Sequence, residues 1–435
     1  MQTLEEYQRN FSDDILVTMN LAEDLKIRGL AEHTSASLGE ILSEPRTVYL
    51  GMDPTADSLH VGHLVPILLM RRLGAAGHKL IFLVGGGTGM IGDPRDSGER
   101  TLLDERTLAA NTRALKRQLK AILGRLSFRM VDNNDWLSRV KLIPFLRDIG
   151  KHFTVNELTK RDLIKRRLED PNDSISYTEF TYALLQGYDY LHLHEKYGTD
   201  LQVGGTDQWT NMLSGVELIR RKKGQEAFVI TAPIITDANG KKFGKSEGNA
   251  IWLDAKKTSP FKFYQFWINL PDDNLERYFH AYTFLPVEEI ESILIRHRAA
   301  PHAREAQEAL ARVVTELIHG PAAVAHAAAA TDALFGDRPF SELSRDERAV
   351  VLAEAPSVTI SAKEAAVGYP LVDALVLGGL ATSKSDARRL IEGRGISLND
   401  MQMREADQRI HQGDLPGGFG VVRKGKRDVL VLVLK

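Results

Sequence analysis

The chain has 435 residues, more than one hydrophobic core ordinarily organises, so two or three domains of roughly 100–200 residues each are expected. Hydrophobic residues make up 43% and charged residues 26%, which excludes a disordered chain. Lys plus Arg number 56 against 58 Asp plus Glu, so the average charge of −2 signals no nucleic-acid partner, and the absence of cysteine excludes disulfides, thiolate metal sites and a cysteine nucleophile.

The first residues carry no basic stretch followed by an apolar core, so no signal peptide is expected. No apolar run reaches the ~20 residues of a membrane helix, and a reducing cytoplasm is the expected location. Residues 1–46 read as helix and loop, closed by Pro45. Thr47–Met52 is a β-rich run ended by the turn chemistry of Asp53-Pro54. Apolar residues crowd Gly62–Leu73 and stop at Gly74, which predicts a buried helix. Lys79–Val84 is a second strand, Leu102–Leu126 a long segment with helical spacing, Ser127–Val131 a third strand, and Phe228–Thr231 a later one. This alternation predicts an α/β fold, a doubly wound parallel sheet with its sites at the strand C-termini. Residues 255–335 are helical in pattern, Phe335–Pro339 reads as a connector, and the last ~80 residues form a small unit of helices and short strands.

Gly87-Thr-Gly89-Met-Ile-Gly92 satisfies G-x-G-x-x-G after a predicted strand, which taken alone suggests a dinucleotide site. Asp93-Pro94 interrupts the helix that should follow, so the better reading is a ligand-facing turn. A stronger pair is His60-Val-Gly-His63, at the start of the first buried helix, and Lys242-Phe-Gly-Lys-Ser246, in a polar loop far downstream. Free amides at a helix start favour phosphate, and two imidazoles three apart fall on one side of it. Glycines at 240, 244 and 248 suit a loop that closes over a polyphosphate. No carboxylate is identifiable beside the histidines to complete a metal site, so no metal ligand is assigned.

Together these two elements resemble the HIGH and KMSKS signatures of class I aminoacyl-tRNA synthetases. Tyr49-Leu-Gly-Met-Asp-Pro-Thr-Ala-Asp-Ser-Leu-His60, Thr88–Pro94, Tyr182–Gln186 with Asp189, Gln202–Trp209, Ile251–Asp254 and Thr258–Trp267 narrow the resemblance to the bacterial tyrosyl-tRNA synthetases, in order along the chain. The resemblance implies a Rossmann-like catalytic domain over 1–254, an α-helical anticodon-side domain over 255–350 and a small α+β S4-like RNA-binding domain over 351–435. It implies tyrosine, ATP accompanied by Mg2+, and tRNA(Tyr) as partners, a homodimer, and no membrane.

By the same resemblance, Thr55, His60 and His63 meet the ATP phosphates and ribose side, with Asp53 and Gly62 beside them. Lys242 and Lys245 stabilise the departing pyrophosphate. Asp207 takes the ribose hydroxyl, and Gly205 lets the nucleotide lie close to backbone. Gln208 orients the substrate carboxylate, and Asp93, Tyr182 and Gln186 receive its ammonium. Tyr49 and Asp189 read the phenolic hydroxyl, and a phenylalanine in their place would leave both unpaired in a dry pocket. The loop after Pro94, Arg95–Arg100, lacks the lysine common in the family, and whether Arg95 or Arg100 substitutes is open. A tryptophan-specific relative is the nearest rival, and Tyr49 with Asp189 argues against it, because indole has no phenolic hydroxyl for them to read. A nicotinamide-dependent oxidoreductase, resting on Gly87–Gly92, and a non-enzymatic RNA-binding protein are the alternatives from other classes.

Near the C-terminus, Ser383 and Asp386 form a predicted capping box for a helix carrying Arg388 and Arg389 and ending near Arg394. Arg423-Lys424-Gly-Lys-Arg427 falls in a predicted hairpin turn. From residue 361 onward, twelve Lys and Arg face nine Asp and Glu, so this end carries +3 and the remainder −5. Those five residues, Arg388, Arg389, Arg394, Arg423 and Lys424, are the expected RNA contacts.

Overall fold

The computed structural model describes residues 20–93, 103–236, 245–246, 249–336, 338–425 and 428–435. Lys242, Arg95 and Arg100 lie outside them. Two compact units result: the first runs through Lys257 and adds Pro271–Ala306, and the second comprises Thr258–Leu270 and Gln307–Lys435. The helical stretch expected after residue 254 is therefore shared between the two.

The first unit is built on six strands: β1 (His33–Thr34), β2 (Thr47–Met52), β3 (Lys79–Val84), β4 (Phe128–Asp132), β5 (Leu201–Gly205) and β6 (Phe228–Ala232). They lie in the order β1-β6-β5-β2-β3-β4. From β2 to β6 every pairing is parallel, and the two-residue β1 closes one edge antiparallel, with His33 opposite Thr231. Val48, Leu50, Phe82, Val84, Val203 and Ile230 are buried, as a sheet covered on both faces demands. The chain winds outward through β3 and β4 on one side of β2 and through β5 and β6 on the other. Strand order thus reverses between β2 and β5, and the crevice lies beyond their C-terminal ends.

In chain order the principal helices are α1 (Leu21–Ile27), α2 (Val61–Ala75), α3 (Glu105–Leu123), α4 (Tyr177–Tyr197), α5 (Trp209–Lys223), α6 (Pro260–Ile268), α7 (Leu275–Tyr282), α8 (Val287–Ala299), α9 (Glu305–His319), α10 (Pro321–Phe335), α11 (Arg345–Glu354) and α12 (Lys384–Glu392). Helix α2 does not stop at Gly74. A Cβ there would sit 2.7 Å from Leu80 Cδ1, so this glycine lets the helix lie close on β3. The left-handed turn that ends the helix comes at Gly77, with φ of 91°. Helix α3 falls inside the expected 102–126 segment. Its buried side carries two polar groups seven apart: Asn111 Nδ2 donates to the Pro54 carbonyl (2.8 Å), and Gln118 Oε1 accepts from the Leu59 amide (2.8 Å). They hold the β2–α2 loop from outside the sheet.

Beyond the KMSKS-like segment, β7 (Lys245–Ser246) and β8 (Asn249–Ala250) pair antiparallel, with Lys245 opposite Ala250. The second unit carries β9 (Ser357–Ile360), β10 (Tyr369–Pro370), β11 (Ile396–Leu398), β12 (Met401–Gln402), β13 (Arg409–Ile410), β14 (Phe419–Lys424) and β15 (Asp428–Leu434). Five of these form a sheet in the order β12-β11-β14-β15-β9, and α12 packs Ala387 and Ile391 into its core with Val422 and Leu430. Among the described residues, no helix is long and apolar enough to cross a membrane.

A buried charge cluster fixes α2 within the first unit. Asp24 accepts from Arg28 Nε (2.5 Å) and from Arg72 Nη1 (3.0 Å), while Arg72 Nη2 reaches the Thr283 carbonyl (2.7 Å) just past α7. Arg72 is 1% exposed, and burial, reinforced by Arg28, pulls its guanidinium down to about 9. Asp24→Ala would leave two buried guanidiniums without their shared anion, at a cost of about 3–5 kcal/mol. The denaturant midpoint of the first unit is therefore expected to fall, and an unchanged midpoint would remove this cluster from the account of its stability.

Candidate active site

The crevice predicted by the strand order is present as a cleft of about 1500 Å³, entirely within the first unit. Tyr49, Asp53, Thr55, His60, Gly62, His63, Asp93, Tyr182, Gln186, Asp189, Gly205, Asp207 and Gln208 all line it. Every expected tyrosine-side residue is therefore brought to one cavity, and so are Asp53, Thr55, His60, Gly62, His63, Gly205 and Asp207 of the nucleotide-side set.

The deep end is organised around Asp189, which is 2% exposed. Its Oδ2 accepts from Asn133 Nδ2 (2.9 Å) and its Oδ1 from Trp136 Nε1 (2.7 Å). Burial pushes the carboxyl up to about 7 against the opposing pull of these two donors. Asn133 is used completely: Nδ2 also donates to Thr88 Oγ1 (2.9 Å), and Oδ1 accepts from the Gly87 amide (2.8 Å). Thr88 Oγ1 donates onward to Asp53 Oδ1 (2.9 Å), and Tyr182 Oη donates to Asp53 Oδ2 (3.1 Å). The expected partition therefore shifts. Asp53, assigned beside ATP, is hydrogen-bonded to the tyrosine-side residue Tyr182, and the glycine turn at 87–92 belongs to this network. A Cβ at Gly85 would lie 1.9 Å from Asp53 Oδ1, and one at Gly86 would lie 2.2 Å from Asp132 Oδ1, so this backbone approach admits only glycine.

Among the buried polar atoms lining the cleft, Tyr49 Oη, Gln186 Oε1 and Gln202 Oε1 have no hydrogen-bond partner among the described residues. Buried polar groups of this kind call for a polar ligand. Tyr49 stands edge-on to Tyr190 (ring centroids 5.1 Å apart), and burial raises its phenol well above the usual range, so it stays protonated. Gln202 lies directly opposite Tyr49 across the β2–β5 pairing. Nearer the mouth, Asp93 accepts from Gln208 Nε2 (2.9 Å) and Asn211 Nδ2 (3.4 Å), and Arg161 donates to Asn211 Oδ1 (2.6 Å).

The other half of the cleft is a hydrogen-bond donor surface. His60 is the residue before α2. Its Nδ1 accepts from the Gly62 amide (3.1 Å), and His63 Nδ1 accepts in return from the His60 amide (3.2 Å). Nitrogens that accept carry no proton, so each neutral ring carries its hydrogen on Nε2. The rings lie 3.8 Å apart, side by side at the positive end of the helix. The chain just past β8 is tied to this point: the Val61 amide donates to the Ile251 carbonyl (2.9 Å), the Leu253 amide to Leu59 (2.9 Å), and Trp252 stands edge-on to His60 (6.0 Å).

Sequence reading missed Asn133, Trp136, Arg161, Gln202 and Asn211. Gln202 was detectable as a lone amide in an otherwise apolar strand, and Asn133 as a polar residue immediately after β4. Arg161 and Asn211 carried no such signal.

In the second unit, α12 begins at Ser383, whose Oγ accepts from the Asp386 amide (3.2 Å). The return bond expected of a capping box is displaced by one residue: Asp386 Oδ2 accepts from the Thr382 amide (3.1 Å). Arg388, Arg389 and Arg394 are exposed on or just past α12, with Arg389 also paired to Asp386 (2.8 Å). Arg423 and Lys424 are directed elsewhere. The Arg423 guanidinium caps the C-terminus of α10 through the carbonyls of Leu334, Ala333 (3.2 Å) and Gly336 (3.1 Å), and Lys424 Nζ donates to the Leu380 carbonyl (3.0 Å). Helix and turn carbonyls thus engage both of these cations.

A doubly wound sheet with paired histidines at one helix start, bridged by the strand-like segment at Ile251–Leu253, defines a class I synthetase site. Residues 42–336 match the family model described as tRNA synthetases class I (W and Y), and residues 347–432 match that of a tyrosine–tRNA ligase SYY-like C-terminal domain. The chain is 46% identical over 415 residues to a tyrosine–tRNA ligase of Roseiflexus castenholzii, covering 94% of this chain and 97% of that one. It is 43% identical over 430 residues to a tyrosine–tRNA ligase of Bacteroides thetaiotaomicron, covering 96% and 100%. Among solved structures, a C-terminally truncated mitochondrial tyrosyl-tRNA synthetase of Aspergillus nidulans matches with a TM-score of 0.64 at 31% identity, over 74% of this chain and 98% of that one. The chain belongs to the tyrosine–tRNA ligases. Neither the oxidoreductase nor the RNA-binding alternative finds support in these likenesses.

The raised Asp189 carboxyl has a consequence for stability. Between its ordinary value of 3.8 and about 7, the folded chain keeps a proton that the unfolded chain has lost. Stability therefore falls as pH rises through that interval and levels off above it. Relative to Asp189→Asn, the stability of the unsubstituted protein is expected to decline over the same interval. Parallel denaturant titrations check this, and a difference independent of pH would refute the assignment.

Proposed function

We propose that the chain catalyses both steps of tyrosine–tRNA ligation within this cleft: tyrosine and ATP form tyrosyl-adenylate and pyrophosphate, and tyrosine then passes to the terminal ribose of tRNA(Tyr). The observation that carries this reading is the coexistence, in one cleft, of the buried Tyr49 and Asp189 with the His60–His63 pair at a helix start. The substrate carboxylate is already a nucleophile, so the cleft needs to position it and stabilise charge, not to supply a base.

In this reading the phenolic hydroxyl enters between Tyr49 and Asp189, with Gln202 as a further neighbour. Gln186 and the carboxylate of Asp93 receive the ammonium, and Tyr182 fixes Asp53 behind them. Gln208 turns its amide toward the carboxylate. The carboxylate oxygen attacks the α-phosphorus as the bond to pyrophosphate breaks. Thr55 and the Nε2–H groups of His60 and His63 donate to phosphate oxygens, with Gly62 beside them at the helix start, and Lys242 and Lys245 neutralise the leaving group. Asp207 takes the ribose hydroxyl over Gly205. Magnesium arrives with ATP as part of that substrate.

Division of labour follows the sequence boundaries: catalysis over 1–254, an anticodon-side helical region over 255–350 and RNA binding over 351–435, through Arg388, Arg389 and Arg394. A cytoplasmic homodimer completes the proposal. Its support is a group of large exposed apolar side chains in the first unit, among them Leu142 (68%), Ile143 (72%), Val155 (63%) and Tyr177 (73%), which a second copy would cover.

ATP–pyrophosphate exchange is expected with tyrosine and not with phenylalanine or tryptophan; exchange with none would overturn the activity, and preference for tryptophan the specificity. Lys245→Ala is expected to slow adenylate formation about 10²-fold while leaving tyrosine affinity nearly unchanged, as removal of one transition-state donor does. Replacing Arg388, Arg389 and Arg394 together by Ala is expected to raise the KM for tRNA about tenfold at fixed salt with pyrophosphate exchange intact. An unchanged aminoacylation KM would move the RNA surface elsewhere.

A further inference from the structure

Trp136 holds one oxygen of Asp189 from a short element, whose first amide donates to Asp132 Oδ1 (2.9 Å). The helix Asn134–Leu137 has four residues, and its first residue has no side-chain cap from Asn133, whose amide is committed to Asp189, Thr88 and Gly87. The indole is buried among apolar side chains, and α4 meets its polar edge and one face. Asp189 accepts its N–H, and His192, three residues further along the same helix, lies flat against its face: ring centroids 4.3 Å apart, planes 17° from parallel. Residues at i and i+3 share a helix face, so one helix grips the indole at both its edge and its plane. On its far side, His192 is flanked by Tyr188 (6.4 Å), which Phe145 meets edge-on (5.7 Å).

His192 makes no competing hydrogen bond through its buried Nε2 among the described residues. Burial, then Lys196, lowers its affinity for a proton, so it stacks as a neutral ring. Its polar atoms are therefore not what the contact uses; its plane is.

We propose that His192 is a positioning residue for substrate tyrosine, keeping the Trp136 indole in the plane from which its N–H reaches Asp189. Without that backing the indole rotates, Oδ1 loses its donor, and the carboxylate is no longer aimed at the phenolic hydroxyl. His192 does not touch the substrate in this scheme. The proposal rests on the assignment of Asp189 to the phenolic hydroxyl, and the experiment separates the two.

The test is pyrophosphate exchange with His192→Ala, His192→Phe and Asp189→Asn, in the full-length chain. His192→Ala is expected to raise the KM for tyrosine about tenfold, the scale of one aromatic stacking contact, with kcat and the KM for ATP within about twofold. Activation of phenylalanine, which offers no hydroxyl, is expected to stay as in the unsubstituted protein, so discrimination falls by the same factor. His192→Phe restores a flat ring without the nitrogens and is expected to recover the tyrosine KM. Tryptophan emission, referred to a Trp136→Phe control, is expected to change in His192→Ala and return in His192→Phe. A loss of tyrosine and ATP affinity together, or no recovery by phenylalanine, would overturn the positioning role. If Asp189→Asn impairs tyrosine use and His192→Ala does not, this proposal alone falls. If Asp189→Asn leaves tyrosine use unaltered, both fall.

Discussion

A carboxylate taken out of water has to be met by donors, and the position of Asp189 in the middle of α4 determines where those donors must come from. The helix's own amides are committed to its backbone ladder. The partners therefore arrive from the chain beyond β4, as Asn133 and Trp136. Asn133 then needs its own oxygen satisfied, and the Gly87 amide does so; its second hydrogen reaches Thr88, and Thr88 reaches Asp53. One buried charge thus dictates a hydrogen-bonded path from α4 past β4 and the β3 turn to the end of β2. The glycines at 85 and 86 are a consequence of that path, since side chains there would occupy the space of the two carboxylates it approaches. A low-dielectric site strengthens each link and penalises each omission, which makes such a network rigid as a whole.

The same sheet supplies the opposite chemistry a few residues away. Parallel strands deliver helix N-termini to the edge where ligands bind, and α2 and α5 both begin there, after β2 and β5. At the first of these, the His60 and His63 rings satisfy amides with Nδ1 and so turn Nε2–H outward. The arrangement needs no protonated imidazole to offer donors: two neutral rings at a helix start suffice. Acid-lined and donor-lined halves in one cleft fit a substrate pair that is cationic at one end and polyanionic at the other.

Much of this was legible from the residues. Apolar runs located β2, β3 and β6, and the alternation with helices implied the parallel sheet and the edge at which the site opens. The motif at Ile251–Asp254 also runs beside His60, where Trp252 forms a bridge with it. What remained hidden were contacts that span the sheet. Asn133 and Trp136 carry no local pattern, because their role is set by Asp189, 56 and 53 residues away in the chain. Gly74 was misread for a related reason: as punctuation it ends a helix, but here the Leu80 side chain across the layer requires the missing Cβ. The two-residue β1 is too short for any periodicity to reveal, and its place follows only from the open edge of β6.

The basic residues of the second unit show how far composition goes. Five cations looked equivalent in sequence, because local charge density does not distinguish a side chain that faces solvent from one that faces carbonyls. Arg423 lies on β14 within reach of the last turn of α10, where unpaired carbonyls and the negative end of the helix dipole compete for it. Arg388 and Arg389 lie on the outer face of α12, whose inner face is spent on Ala387 and Ile391. An arginine that completes a helix end is desolvated and directional, and its removal would be felt in folding; an arginine on an outer helix face retains its hydration until a polyanion replaces it. The net basic charge of this end is therefore shared between two tasks. Among the cations that the fold does not consume, Arg388 and Arg389 on α12 and Arg394 just past it stay exposed.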